Sequence, residues 1–182
     1  MRKWKILNAT ALGLMVGLGL ILFDVSNAIS YLSDDPEACV NCHIMNPQYA
    51  TWTHSSHREK TNCNDCHVPH DNIVRKYMFK ASDGLRHATV FTMRAEPQVI
   101  RINDAGITVV QENCKRCHID QINPVSAANV DGHNYKAGEG KLCWDCHREV
   151  PHGKLSGQAS TPFSRGPNLM GQKAEWMNKD KK

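Results

Sequence analysis

The 182-residue chain is poor in aromatic side chains, with 4 Phe, 4 Tyr and 4 Trp. A soluble portion of about 150 residues with so few large apolar groups would have a thin interior by ordinary standards. Runs that alternate apolar and polar residues are nearly absent, which argues against a β-sandwich or barrel. Only 12 Gly and 8 Pro occur, so no collagen-like repeat is present. A content of 41% hydrophobic and 22% charged residues excludes a chain disordered throughout. No cysteine lies outside one short, recurring motif.

That motif is Cys-x-x-Cys-His, and it occurs four times: Cys39, Cys42, His43; Cys63, Cys66, His67; Cys114, Cys117, His118; and Cys143, Cys146, His147. With this composition, four histidines in that place would arise by chance with a probability on the order of 10⁻⁵. Paired cysteines at this spacing serve disulfide frameworks, zinc sites or covalent haem attachment. Disulfides need no histidine, and zinc ribbons have no reason to put one directly after every second cysteine. Haem attachment requires all three residues, because two thiols add to the two vinyl groups and the imidazole ligates the iron. Four c-type haems are therefore the predicted cofactors, bound covalently through the eight cysteines. Their porphyrins would supply the missing core. Their eight propionates would turn the formal charge of +4 into roughly −4, so the sequence pI of 8.6 is no sign of nucleic-acid binding and none is expected.

Arg2, Lys3 and Lys5 precede an uncharged stretch, Ile6 to Phe23, whose polar residues are Asn8 and Thr10. Its 18 residues match the thickness of a bilayer core and predict one transmembrane helix. A cleaved signal peptide is the rival reading, with Ser26-Asn27-Ala28 as a small-x-small site. The length of the run and its amphipathic continuation through Ile29, Tyr31 and Leu32 favour an uncleaved anchor. Basic residues before the helix would stay cytoplasmic, leaving the rest of the chain on the periplasmic side of the inner membrane. Gly13 and Gly17 form a GxxxG, equally readable as a helix-pairing face or a lipid-facing pair.

Successive haem motifs begin 24, 51 and 29 residues apart, which predicts two dihaem modules. Val68-Pro69-His70 after the second motif and Val150-Pro151-His152 after the fourth repeat the same trace. The expected fold is mainly α with many loops: a membrane anchor over 1–30, a compact tetrahaem domain over 31–156 and a flexible or partner-binding tail over 157–182. A helix is predicted from Asn72 to Glu96, stopped by Pro97. Val74, Tyr77, Met78, Ala81, Leu85 and Ala88 form one apolar stripe on it. Lys80, Asp83 and His87 fall at i, i+3 and i+7, share a face and are candidates to converge on one ligand.

Four low-spin haems need eight axial ligands, and the motifs supply at most four, including His67, His118 and His147. Outside the motifs stand His54, His57, His70, His87, His133 and His152. His57 and His152 lead as distal ligands, followed by His133 and then His70, with His54 too close to His57 for both to bind. In the first motif Met45 follows His43 by two residues. A thioether ligand raises haem potential relative to a second imidazole, which suits electron entry; packing on a porphyrin edge is the alternative role for Met45.

The anchor, the four motifs and the segments CHIMNPQYATWTHSSH (Cys42 to His57), KASDGLRH (Lys80 to His87) and CWDCHREVPHG (Cys143 to Gly153) resemble the NapC/NirT family of membrane-anchored tetrahaem quinol dehydrogenases. Within that family the chain is most similar to the short subunit serving cytochrome c nitrite reductase. The resemblance implies oxidation of menaquinol at the outer face of the inner membrane and electron transfer to a periplasmic multihaem reductase. It implies Met45 rather than His43 as an axial ligand of the first haem, Lys80 beside the quinol head group, and His57 and His152 as distal ligands, with His70 and His133 matching less consistently. Where some relatives carry an aspartate, this chain has His87 and offers Asp83 one turn earlier. Donation to another periplasmic reductase, and a pure electron-transfer cytochrome without a quinol site, are the alternative functions. Nitrite reduction by this chain itself lacks an independent catalytic signature.

Overall fold

The computed structural model describes residues 2–125, 127–150 and 152–153; the tail expected over 157–182 lies outside them. Among the described residues all regular structure is α-helix or 3₁₀ turn, with no strand. Helix α1, Arg2–Val25, contains the apolar run, has a mean hydropathy of 2.2 and buries none of it in the protein. At 1.5 Å per residue it is about 36 Å long, enough to cross a bilayer. Thr10 returns its hydroxyl to the Ile6 carbonyl at 3.0 Å, so its polar group is satisfied within the helix. Asn27 then takes a left-handed conformation, φ 51°, and starts a 3₁₀ turn over Ala28–Leu32 that carries the chain away from α1.

The four motifs sit on short helical pieces. The first spans α2 (Pro36–Val40) and a 3₁₀ turn at His43–Met45, followed by α3 (Asn46–Thr53). The second is α4 (Cys63–His67) and the fourth is α8 (Cys143–Cys146). In both, the aspartate inside the motif returns to the helix start: Asp65 Oδ2 accepts from Asn62 N, and Asp145 Oδ2 from Leu142 N, each at 2.8 Å. These carboxylates cap one-turn helices that would otherwise be marginal.

Helix α5, Ile73–Thr92, is capped by Asn72, whose Oδ1 accepts from Val74 N and Arg75 N. It ends four residues before the expected Glu96. Arg94 adopts φ 51°, its N–H donates to Phe91 O, and Ala95 N–H reaches Val90 O at 2.9 Å. This is a Schellman ending with arginine in the left-handed place usually held by glycine, so the helix is closed before Pro97 acts. The apolar stripe of α5 points outward, Val74 and Met78 each 67% exposed. Its charged side chains turn inward instead, Arg75 to Glu112 and Lys76 to Asp34.

The spine of the haem domain is α6, Asp104–Cys117, which ends in the third motif and clasps two others. Buried Asn113 donates Nδ2 to the carbonyls of Cys66 and Val68, at 2.9 and 2.8 Å. Gln111, 2% exposed, donates to Val130 O and accepts from Cys143 N at 3.0 Å. Helix α7, Gly132–Lys136, packs on the same spine. Among the described residues the buried apolar side chains are Ala38, Val40, Pro47, Val68, Pro69, Ile107, Val109 and Leu142, a small set for so many helices. Hydrogen bonds through α6 therefore carry much of the arrangement. Replacing Asn113 with alanine strands two buried carbonyls, an expected cost of about 2 kcal/mol, read as a fall in melting temperature of roughly 4–8 °C for the holoprotein. A fall of less than about 1 °C would contradict this role.

Candidate haem and quinol sites

Cys63 and Cys66 stand one turn apart on α4, Cys114 and Cys117 on α6, and Cys143 and Cys146 on α8, so each pair lies on one helix face. The sulfurs of Cys39 and Cys63 lie within hydrogen-bonding reach of each other. Cys114 and Cys143 are neighbours in the same way. The first motif thus meets the second and the third meets the fourth, and the second also meets the third where α4 packs on α6.

Zinc would need several ligands gathered around one point. Among the described residues no three His, Cys, Asp or Glu side chains gather in that way. What is gathered is two close imidazole pairs, one tilted at 37° and one edge-on at 63°. The rings of His67 and His152 have centroids 6.2 Å apart, and those of His57 and His118 6.1 Å apart. Each pair would be close enough to hold a metal between its two rings, as an imidazole-ligated haem iron requires. Buried Trp52 Nε1 also has no acceptor, an unmatched donor of the kind a propionate satisfies. With the sparse apolar core, these features fit c-type haem.

His152 is held by Thr51, whose Oγ1 lies 3.1 Å from its Nδ1. Burial pushes its pKa down against an opposing bond from the Gln48 backbone, favouring the neutral ring that ligates metals. In the first motif His43 is exposed and packs edge-on to Phe91 with centroids 5.7 Å apart, whereas Met45 is half-buried at the start of α3. His70 engages its Nε2 with Asn64 O at 3.1 Å. His133 lines a cleft of about 230 Å³ with Gln111, Lys115 and Asp131. His54 hydrogen-bonds Ala50 O through Nδ1 at 2.7 Å. His147 follows α8 and is exposed.

The trio on α5 divides. Lys80, whose side chain is 13% exposed, donates to Ser33 O at 2.9 Å and Asp34 Oδ1 at 3.0 Å, in the segment that leads out of α1. Asp83 turns to other partners: Oδ1 accepts from Arg86 Nε at 3.0 Å and Asn103 Nδ2 at 3.1 Å, and Oδ2 lies 3.6 Å from His87 Nε2. Arg86 Nη2 also contacts His87 Nε2. Desolvation lowers the His87 pKa, Asp83 opposes the shift and Arg86 adds to it, so the ring is mainly neutral near pH 7. Sequence spacing puts three residues on a face and is silent on what each meets across the fold. Asp34, Thr51 and Asn64 were missed for that reason, since none belongs to a ligand pattern in the chain.

Residues 1–157 match the model of the NapC/NirT cytochrome c family, N-terminal region. The cytochrome c-type protein NrfH of Wolinella succinogenes is 43% identical over 173 residues, 91% of this chain and 97% of that protein. The cytochrome c nitrite reductase subunit NrfH of Nitratidesulfovibrio vulgaris is 33% identical over 150 residues, 82% of this chain and 84% of that one. A chain in the crystal structure of the cytochrome c nitrite reductase NrfHA complex bound to the HQNO inhibitor aligns with a TM-score of 0.59 and 31% identity, covering 85% of this chain and 94% of that chain.

Proposed function

The chain belongs to the NapC/NirT cytochrome c family, and from that premise we propose that it is a membrane-anchored quinol dehydrogenase that passes electrons to an ammonia-forming cytochrome c nitrite reductase. Its NrfH relatives and the NrfHA structure support the partner. Helix α1 is the anchor, with the haem domain on the periplasmic side. The observation that carries the quinol reading is the position of Lys80, whose ammonium is bonded to Ser33 and Asp34 just past the membrane helix. A lipid-soluble quinol reaches that level without leaving the bilayer.

Four haems are attached through the eight cysteines. His67 with His152 and His118 with His57 would hold two irons, Met45 the first, and His147 the fourth; His43, His70 and His133 remain secondary candidates. When bound, c-type haem accepts and releases one electron at a time. Menaquinol loses two electrons and two protons, so the protein must orient its oxygen and take up protons. Lys80 donates to the quinol oxygen and favours the negative charge that builds there as the proton leaves. Neutral His87, steadied by Arg86 and Asp83, accepts a proton.

Because the His87 pKa is lowered, the ring accepts protons above that value and loses the capacity as pH falls through it. Turnover should therefore fall on the acid side. His87→Gln should remove that limb and lower the plateau severalfold, and Asp83→Asn should displace it. Wild-type pH profiles in both variants would move proton uptake elsewhere.

The assignment is tested by purification from membranes in mild detergent. Intact mass should equal the full polypeptide plus four haems, and a nitrite reductase catalytic subunit should co-purify and reduce nitrite with menaquinol. Fewer haems, loss of residues 1–28, or a different co-purifying reductase would each reject the corresponding part.

A further inference from the structure

Lys76 and Lys80 lie at i and i+4 on α5, where two ammonium groups repel each other. Both nevertheless turn to one carboxylate. Asp34 Oδ2 accepts from Lys76 at 2.8 Å, and Oδ1 accepts from Lys80 at 3.0 Å and from Asn64 Nδ2 at 2.8 Å. Asn64 lies between the cysteines of the second haem motif, and Asp34 follows the exit from the membrane helix. Three otherwise separate elements therefore meet at this side chain.

We propose that Asp34 is a positioning residue for quinol oxidation, which aims the Lys80 ammonium at the quinol oxygen by holding it and its neighbour Lys76 on opposite carboxylate oxygens. The proposal rests on Lys80 as the quinol donor. An ammonium has three donors; Asp34 and Ser33 O occupy two on Lys80, which fixes the direction of the third. Without the anchor, a flexible four-carbon stem and the repulsion from Lys76 would let the group swing. Two ammonium groups against one carboxylate also leave the cluster one unit positive, as a developing oxyanion requires. Partial burial would raise the Asp34 pKa, but the bonds from Lys76, Lys80 and Asn64 outweigh it and hold the carboxyl far below the usual range. The carboxylate stays ionised wherever quinol is oxidised. Asp34 touches no quinol in this scheme and acts through Lys80.

The test is steady-state menaquinol oxidation by the full-length holoprotein, with Lys80→Ala, Asp34→Asn, Asp34→Glu and the Lys80→Ala/Asp34→Asn double variant. Asp34→Asn should lower kcat/KM by about tenfold, with the fall in kcat, while haem content and dithionite-reduced spectra stay unchanged. Asp34→Glu should recover to within about threefold of wild type, since it restores the charge. The double variant should be no slower than Lys80→Ala alone, because Asp34 acts only through that lysine. If Lys80→Ala slows turnover while Asp34→Asn does not, or if the two losses add, the positioning role is overturned and the quinol reading stands. Normal turnover in Lys80→Ala overturns both. Should Asp34→Asn fail to accumulate with four haems, Asp34→Ser is judged by the same criteria, and loss of haem there too would mark a structural role and reject the proposal.

Discussion

Lys80→Ala is expected to lower menaquinol oxidation by about 10²-fold, the usual cost of removing one preorganised donor to a developing oxyanion. Haem content and reduction by dithionite should not change, because Lys80 is not among the proposed iron ligands and lies outside every attachment motif. The side chain is 13% exposed and its two protein partners are fixed, so loss of its ammonium removes a held donor rather than a mobile surface charge. An ordinary solvated lysine would give a change close to none. Lys80→Arg keeps the charge but spreads it over a planar fork that cannot reproduce the same bonds to Ser33 and Asp34. It should recover turnover only in part. Wild-type rates in Lys80→Ala would remove the quinol site from α5 and turn attention to the 26–35 segment.

The second large effect concerns iron ligation. His152→Ala should convert one low-spin haem to a high-spin or ligand-exchanged state, and His57→Ala should do the same to a different haem. The proposed pairing follows from ring proximity: His152 lies beside His67 of the second motif, and His57 beside His118 of the third. The two variants should therefore remove different low-spin signals in EPR, and a double variant should remove both. His54→Ala should change little, since that ring bonds the Ala50 carbonyl in its own helix. Unchanged spectra for His57→Ala and His152→Ala would refute both pairings. Removal of the same signal by each would refute the assignment to separate haems.

Much of this architecture is legible in the chain because its signals are local. Four Cys-x-x-Cys-His motifs mark where the proposed covalent bonds form, and an uncharged 18-residue run fixes one long helix. Asn72 announces the start of α5 through a capping bond that spans two or three residues. The end of α5 is not legible for the same kind of reason: Pro97 is the visible breaker, but Arg94 closes the helix earlier by entering a conformation that sequence assigns to glycine. The histidine pairs were not legible. His67 and His152 are separated by 85 positions, and nothing local links them. The division of Lys80 from Asp83 is likewise tertiary, because it depends on a carboxylate at position 34 and an amide at position 103.

The central claim is that this chain takes electrons from a quinol in the membrane. Its most direct measurement is anaerobic mixing of menaquinol-loaded proteoliposomes containing the wild-type holoprotein, with haem absorption followed in time and no partner subunit present. The predicted result is reduction of haem by menaquinol at a rate sufficient for turnover. Haem that dithionite reduces but menaquinol leaves oxidised would contradict the account.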